Sequence, residues 1–394
     1  MRSVQERIFL DKNLFFLSYV PKCNLGGKMN WLFIGIMAIN FKILIMMAVG
    51  ATLIYLAIKK DYEPALLLPI GFGTILANIP FSSAIGDEGP LTILFNAGIL
   101  TEMFPILIFI AIGAMIDFSV LLKNPFMMLF GAAAQVGIFV TMMVAALLGF
   151  TFFQSAAIGI IGSADGPTSI FVAGRFAPEL LGPITVAAYS YMALVPIIQP
   201  PVIRLLTTKE ERKIRMESFS GEVPKTVKII FPIVISVVAG IIAPSSVALV
   251  GFLMFGNLLR ECGVLDKLAK SAQNELASLI TILLGITIAS TMTAEKFINL
   301  QTLMILGLGL LAFIANTAGG VLFAKFLNLF FKKKINPMIG AAGISAFPMS
   351  ARVIQKMGQQ EDKQNFLLMP ATSANVAGQI GSVIAGGLIL ALVN

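Results

Sequence analysis

The sequence predicts an all-α polytopic membrane protein. Of its 394 residues, 57% are hydrophobic and only 12% are charged, and the mean hydropathy is +0.92. Soluble domains carry about 25% charged residues, and the alternating pattern of a transmembrane barrel is absent here. A helical span needs about 20 apolar residues, a rule that predicts about nine to eleven spans or half-spans. The stretches apolar enough for such spans are 41–58, 104–116 with its flanks, 125–150, 227–242, 303–323 and 367–393.

The residue census excludes several kinds of chemistry. The chain has no histidine, which rules out histidine acid–base catalysis and histidine metal ligation. Its two cysteines, Cys23 and Cys262, make neither a disulfide framework nor a zinc site. No G-x-x-x-x-G-K-[ST] motif occurs, so a P-loop does not hydrolyse ATP here. We attribute the net charge of +8 to basic loops that set membrane topology, and we expect no nucleic-acid partner.

Charge and polarity divide the chain into four parts. Residues 1–40 form an N-terminal segment, 41–206 a first membrane repeat and 229–394 a second. The charged loop 207–228 carries six Lys/Arg and is predicted to be cytoplasmic. Residues 1–28 lack the features of a signal peptide. They are either a short interfacial segment or a mis-assigned start, with translation beginning at Met29, because a ribosome-binding site can encode the Gly-Gly pair of "NLGGKM".

Two similar stretches predict an internal repeat. "IGIIGSADGPTSIFV" begins at Ile158, and "IGAAGISAFPMSARV" begins 181 residues later, at Ile339. They share I-G-x-x-G-x-x-x-x-P-x-S-x-x-V without a gap, and a weaker similarity pairs "IAIGAMI" (110–116) with "ITIASTM" (286–292). Glycines that pack helices together are the alternative explanation. Six aligned identities that include a proline favour the repeat.

Each of the two stretches is predicted to break a helix at membrane depth. Pro167 and Pro348 lack a backbone donor, and glycines lie upstream of both. Irregular backbone survives in a membrane only where it is buried or lines a cavity. Inverted-repeat transporters bring two such discontinuous helices together at an ion site near the midplane. We therefore expect an inverted-repeat architecture in which 159–174 and 336–352 lie close together.

Polar side chains in these breaks indicate what the site binds. Asp165 lies inside the first break and Ser345 inside the second. A buried carboxylate costs about 2.5–3.5 kcal/mol at the bilayer centre, and a bound cation offsets that cost. Oxygen ligands of this kind suit Na⁺ or H⁺. Arg352 either binds an anionic substrate group or snorkels to the interface, and Tyr191 is either a proton donor or an aromatic-belt residue.

Several long segments are similar to those of one known family. They are "YEPALLLPIGFGTILANIP", "GSADGPTSIF", "YSYMALVPIIQPP", "INPMIGAAGISAFPMSARV" and "SANVAGQIGSVIAGG". From about Asn40 onward the chain resembles the β subunit of sodium-pumping biotin-dependent decarboxylases. That family includes oxaloacetate, methylmalonyl-CoA, glutaconyl-CoA and malonate decarboxylases.

The resemblance implies a function and a set of partners. A carboxyltransferase α subunit moves CO₂ from the substrate to biotin on a biotin carrier protein, and the β subunit decarboxylates carboxybiotin, exports Na⁺ and consumes a proton. The chain has no M-K-M biotinylation motif, so biotin belongs to a partner subunit. We also expect a small single-span membrane subunit, several copies of this chain in one complex, and a location among the lipids of a bacterial or archaeal cell membrane.

The resemblance also implies site residues. Those that it assigns to Na⁺ are Asp165, Ser345, Asn336, Gly340 and Asn375. Tyr191 and Ser345 are expected to pass a proton, and Arg352 to face the carboxylate of carboxybiotin. The alternative function is a Na⁺-coupled carboxylate transporter without biotin chemistry, which a biotinylated partner visible to avidin would exclude.

Overall fold

The computed structural model of the chain describes residues 34–60, 64–216 and 221–393. All regular secondary structure within these residues is helical, which confirms the all-α prediction. The choice between Met1 and Met29 as the start lies outside the described residues. The chain divides into two units between Asn40 and Phe41. The first contains the short helix Ile34–Met37, and the second contains everything that follows.

The longer helices of the second unit carry the architecture. In chain order they are α1 (Phe41–Lys60), α2 (Pro64–Asn78), α3 (Met103–Met115), α4 (Met128–Ala133), α5 (Val136–Leu147), α6 (Phe152–Gly159), α7 (Gly166–Phe176), α8 (Leu181–Ala193), α9 (Val195–Leu206), α10 (Lys225–Ile242), α11 (Val247–Glu261), α12 (Ala277–Ile288), α13 (Leu300–Phe330), α14 (Met349–Glu361) and α15 (Leu368–Val393). Shorter helical segments are Pro90–Leu94, Phe95–Ile99, Ser119–Leu122, Pro125–Met127, Ile160–Ser163, Pro178–Leu180, Lys209–Arg212, Pro244–Ser246, Asp266–Ser271, Ala272–Leu276, Ala289–Thr291, Ala294–Phe297 and Met338–Ala341.

Several of these helices are long and apolar enough to cross a membrane. Among the described residues, the five continuous candidates are Phe41–Lys60, Pro125–Leu147, Asp266–Thr291, Leu300–Phe330 and Leu368–Val393. Two bent pairs raise the count to seven: Pro90–Ile99 with Met103–Met115, at 64°, and Pro178–Met192 with Val195–Leu206, at 67°. The chain is therefore a multi-pass membrane protein.

Burial separates a central helix from a peripheral one. In α15, 72% of the most apolar 18-residue window is buried inside the protein, whereas in α1 the value is 22%. A helix surrounded by protein can carry polar side chains that a lipid-facing helix cannot, because neighbouring helices supply their hydrogen-bond partners. Buried polar residues of α15 include Ser373, Asn375, Gln379 and Ser382.

Glycines allow α3 and α11 to pack at unusually close range. A Cβ atom on Gly113 would lie 1.8 Å from the carbonyl oxygen of Leu253, and one on Gly256 would lie 2.0 Å from that of Ile110. No side chain fits into either space, so a residue larger than glycine would separate the two helices.

Two buried asparagines connect the halves of the chain in a reciprocal way. Asn78 in α2 donates from Nδ2 to the carbonyl oxygen of Met292, at 2.8 Å. Asn257 in α11 donates from Nδ2 to the carbonyl oxygen of Ile116, at 3.2 Å. Ile116 and Met292 are the paired last residues of the weaker sequence similarity. The first half therefore supplies an amide donor to Met292 in the second half, and the second half supplies one to Ile116 in the first. Whether the two halves are inverted repeats stays a prediction.

Candidate functional site

The two predicted helix breaks are in direct contact. The first comprises the short segment Ile160–Ser163 and the two residues that precede α7, and the second lies between Met338–Ala341 and α14. The backbone N–H of Ser345 donates to the carbonyl oxygen of Ser163 at 3.1 Å. The expectation that these regions lie close together is confirmed.

Each break also packs on a helix of the opposite half. A Cβ atom on Gly162 would lie 3.0 Å from the Cβ of Ala312, and one on Gly343 would lie 2.3 Å from the carbonyl oxygen of Phe130. The second contact leaves no room for a side chain, which explains why a glycine occupies that position. The breaks are thus held between α13 on one side and α4 on the other.

Asp165 is buried and surrounded by neutral hydrogen-bond donors. It is 3% exposed and caps the N-terminus of α7, where its Oδ1 accepts from the Thr168 N–H at 3.2 Å. Its Oδ2 accepts from Ser382 Oγ at 2.6 Å and from Gln379 Nε2 at 2.9 Å. None of the ion pairs among the described residues involves Asp165. The carboxylate is therefore oriented without being neutralised by a basic side chain.

Ser345 and Asn375 bring further oxygen atoms to the same region. Ser345 is 3% exposed and donates from Oγ to the carbonyl oxygen of Gly378, at 2.7 Å. Asn375 donates from Nδ2 to the carbonyl oxygen of Ile344, at 2.5 Å. The Oδ1 atom of Asn375 is buried and has no hydrogen-bond partner within the described part of the chain. Buried acceptors of this kind are able to serve as cation ligands.

A cavity adjoins Asp165 and Ser345. Its polar lining includes Asp165, Ser345, Gln379 and Tyr189. The rest of the wall is mostly apolar and reaches Met115 and Ala277, which are the last residue of α3 and the first residue of α12. The buried carboxylate thus lies at a space that extends toward the C-terminal end of α3 and the middle of the continuous helix Asp266–Thr291.

Gln379 and Ser382 were not among the site residues predicted from sequence. Both lie in "SANVAGQIGSVIAGG", where Asn375 was the residue singled out. Residues four and seven positions after Asn375 share its helical face, and these are Gln379 and Ser382. Helical spacing within a motif already quoted was therefore the signal that could have found them.

The tyrosine predicted to act at the site is engaged elsewhere. Tyr191 donates from its hydroxyl to the carbonyl oxygen of Leu306. Its ring also lies against Gly309, where a Cβ atom would be 2.6 Å from Cε2. Tyr189 is the tyrosine of "YSY" that lines the cavity. Its ring covers Gly166, whose Cβ would lie 2.0 Å from the Tyr189 Cζ.

Asn336 and Gly340 occupy structural positions near the second break. Asn336 donates from Nδ2 to the carbonyl oxygens of Arg212 and Ile214, at 2.9 and 2.8 Å, and its Oδ1 accepts from the Met338 N–H. These contacts attach the charged loop to the second half of the chain. Gly340 packs against Gly320, whose carbonyl oxygen would lie 1.9 Å from an added Cβ atom.

Arg352 lies on an exposed surface, because α14 is amphipathic. Arg352 and Lys356 share its exposed face, and the intervening Val353 and Ile354 are buried. The first helical turn connects Arg352 to the break, since its N–H donates to the carbonyl oxygen of Pro348.

Comparison with known proteins identifies the family. Residues 42–393 match the family described as the Na⁺-transporting oxaloacetate decarboxylase beta subunit. The chain belongs to this family. It is 52% identical to the glutaconyl-CoA decarboxylase subunit beta of Acidaminococcus fermentans, over 91% of this chain and 95% of that protein. It is 49% identical to the methylmalonyl-CoA decarboxylase subunit beta of Propionigenium modestum, over 91% and 96%. The oxaloacetate decarboxylase beta chain of Klebsiella pneumoniae is 44% identical, over 91% and 96%.

Membership of the decarboxylase β-subunit family confirms the resemblance found in the sequence. The chain is a membrane subunit of a Na⁺-transporting carboxylic-acid decarboxylase, and this function is supported over that of a Na⁺-coupled carboxylate transporter. A β subunit implies partner subunits. The three relatives are named for three different acids, so family membership leaves the organic acid of this complex open.

Proposed function

We propose that this chain decarboxylates carboxybiotin presented by a carrier subunit and couples that step to Na⁺ export. The N–C bond of carboxybiotin breaks, CO₂ leaves, and the electron pair left on the ureido nitrogen takes up a proton. The observation that carries the proposal is the buried Asp165 carboxylate, which has neutral hydrogen-bond donors around it and adjoins a cavity. Such a site stores negative charge that a cation can balance.

Na⁺ is the cargo that the site would hold. Asp165 supplies the charge, and the hydroxyl oxygen of Ser345 supplies a neutral oxygen ligand. A second neutral ligand is the Oδ1 of Asn375, which has no hydrogen-bond partner among the described residues. Hard oxygen ligands match a hard cation. Gln379 and Ser382 would orient the carboxylate. Asn336 and Gly340 would act indirectly, by holding the backbone and the charged loop around the second break.

Carboxybiotin would approach the exposed side of α14. Arginine forms planar, two-pronged contacts with a carboxylate, and the guanidinium of Arg352 is accessible on that helix. Ser345 lines the cavity and is our first candidate for proton transfer. Tyr191 would have to release the carbonyl oxygen of Leu306 before its hydroxyl could donate a proton there.

An inverted two-fold repeat is the architecture that we propose for coupling. The helices α6 and α7 form a hairpin around the first break, and its open end lies next to the start of α8, where Gln154 bonds to Glu179 at 3.1 Å. The segment Met338–Ala341 and α14 form the hairpin around the second break, and α14 ends near the residues that follow α9, where Glu361 pairs with Arg212 at 2.7 Å. Because α8 and α9 together make one bent span, the two hairpins enter from its opposite ends, which supports inversion. The basic loop 207–228 supports a cytoplasmic location for the second base.

The partners of the proposed reaction are a carboxyltransferase α subunit, a biotin carrier protein and a small single-span membrane subunit. Biotin would be carried by the carrier protein, since this chain has no biotinylation motif. Several copies of the chain would assemble within one complex in a bacterial or archaeal cell membrane.

The test uses the purified complex in proteoliposomes, with carboxybiotin turnover and Na⁺ uptake measured together. We expect Na⁺-dependent turnover that avidin abolishes, and we expect Asp165→Asn to lose it while the complex still assembles. Na⁺ transport of a carboxylate that continues unchanged in the presence of avidin would instead support the symporter.

A further inference from the structure

Asn316 lies on α13 and reaches across to the first helix break. Its side chain is fully buried, and its Nδ2 donates to the carbonyl oxygen of Gly162. The Oδ1 atom has no hydrogen-bond partner within the described residues. It packs against Gly137, where an added Cβ atom would lie 2.3 Å away. The single hydrogen bond of this side chain is therefore directed at the backbone that leads to Asp165.

The carbonyl oxygens just before Asp165 are held from two sides. Asn316 holds that of Gly162, and the N–H of Ser345 holds that of Ser163. Between these anchors and Asp165 lies Ala164, whose φ of 53° is in the left-handed region that alanine rarely adopts. A backbone conformation of this kind persists only when the surrounding structure imposes it. The Ser345 anchor is a backbone group, so Asn316 is the anchor that a side-chain substitution can remove.

The equivalent position in the other half of the chain does not make this contact. Asn316 lies 181 residues after Gln135, which is the separation of the two broken-helix motifs. Both positions therefore carry a buried side-chain amide at equivalent points of the two halves. Gln135 donates to the carbonyl oxygen of Gly131, four residues earlier in the chain, at 3.0 Å. Only the Asn316 amide of this pair is directed at the break that contains a carboxylate.

We propose that Asn316 is a positioning residue that sets the Na⁺ affinity of the site at Asp165. Its amide holds the Gly162 peptide, which keeps Ala164 in the left-handed conformation. That conformation directs the Asp165 carboxylate toward Gln379 and Ser382. Without the amide, Ala164 relaxes toward ordinary helical angles and the carboxylate turns away from its donors. The inference rests on the proposed Na⁺ site at Asp165.

The test compares Asn316→Ala with Asn257→Ala in the assembled complex. Asn257 is a close chemical match, because it is buried and donates to one carbonyl oxygen across the two halves. Its Oδ1, like that of Asn316, has no hydrogen-bond partner in the part of the chain that the structure describes. Two quantities are measured with K⁺ replacing Na⁺ at constant ionic strength. They are the Na⁺ concentration that gives half of the maximal increase in Tm, and the Na⁺ concentration that half-activates decarboxylation. Both variants should lower Tm in the absence of Na⁺.

We expect Asn316→Ala to raise both Na⁺ midpoints about ten-fold, the factor that the loss of one well-placed buried hydrogen bond can produce. Asn257→Ala should leave both midpoints unchanged. If Asn316→Ala fails to assemble, Asn316→Ser is used. In a helix, a serine hydroxyl can donate to the carbonyl oxygen of the residue four positions earlier. It therefore has a hydrogen-bond partner within α13 but no longer reaches Gly162.

Asp165→Asn distinguishes failure of the proposed Na⁺ site from failure of the positioning role of Asn316. If it abolishes the Na⁺-dependent rise in Tm and Asn316→Ala leaves the midpoints unchanged, the site stands and the positioning role of Asn316 is wrong. If both asparagine variants shift the midpoints equally, the effect is general loosening and the positioning role is again wrong. If Asp165→Asn keeps the full Na⁺ response, the proposed site itself fails.

Discussion

Ser382 donates a hydrogen bond to the buried carboxylate of Asp165, with Oγ and Oδ2 2.6 Å apart. The two residues are 217 positions apart in the chain and come from different halves. Gln379 and the Thr168 N–H also donate to the same carboxylate. Its negative charge is therefore stabilised by neutral donors, and no basic side chain among the described residues pairs with it. In the function proposed above, Na⁺ would balance this charge.

Asp165→Asn should abolish Na⁺-dependent turnover and leave the complex assembled. The amide keeps the shape of the side chain but removes the charge that attracts the cation. Carboxybiotin decarboxylation across a Na⁺ titration measures the effect. Asp117→Asn is the control, because that aspartate pairs with Arg260 at 3.8 Å and is 46% exposed. A normal Na⁺ midpoint in Asp165→Asn would reject Asp165 as a ligand.

Ser382→Ala should raise the Na⁺ midpoint several-fold, and Ser382→Thr should restore it. A hydrogen bond to a charged group contributes about 1.5–3 kcal/mol, and here it orients the carboxylate. Ser246→Ala is the matched control, because that buried serine donates to the carbonyl oxygen of Ala243 at 2.7 Å. A lower midpoint in Ser382→Ala would mean that the hydroxyl competes with Na⁺ instead of positioning its ligand.

Arg352→Lys should lose most decarboxylation, and Arg352→Ala nearly all of it. Lysine keeps the charge but not the two-pronged contact with a carboxylate. Both variants should fold, because the side chain is exposed on α14. Lys356→Ala, on the same face, serves as the control and should retain turnover. If Arg352→Lys turns over normally with a shifted Na⁺ midpoint, the role of Arg352 is to tune the cation site.

Glu361→Gln should lower Tm at neutral pH but not in acid. The hydrogen bond from Arg212 Nε to Glu361 Oε1, at 2.7 Å, lowers the pKa of the Glu361 carboxyl. A lowered folded-state pKa stabilises the protein above the ordinary glutamate pKa of about 4.3, and that stabilisation is lost as pH falls through the folded-state value. Tm measured against pH tests this, with the exposed Glu210→Gln as the control. A Tm difference that persists in acid would contradict the ion pair as its cause.

The contact between the two breaks was predictable because it depends on local chemistry. Proline and glycine interrupt helices wherever they lie, and irregular backbone in a membrane has to be buried. The repeat that begins at Ile158 and Ile339 therefore predicted that the two breaks meet. The donors to Asp165 were harder to find, since Gln379 and Ser382 are ordinary small or polar residues of a long apolar helix.

Tyr191 and Arg352 illustrate why the sequence left the surroundings of some side chains open. Tyr189 and Tyr191 belong to the same short motif, but they lie on different faces of α8, so one lines the cavity and the other bonds to α13. Arg352 follows a buried break by only a few residues, yet the helical period turns it outward while Val353 and Ile354 turn inward. Motif membership fixes neither the face nor the depth of a side chain.

The sequence by itself determined the all-α membrane class, the helix breaks, the family and the residue that carries the buried charge. Each of these depends on composition, local backbone chemistry or long ordered motifs, which can be read along the chain. Only the tertiary structure decided which neutral groups surround Asp165, that Asn336 holds the charged loop, and that Asn316 reaches Gly162. Those contacts join residues more than 100 positions apart, and the packing of helix faces in three dimensions selects them.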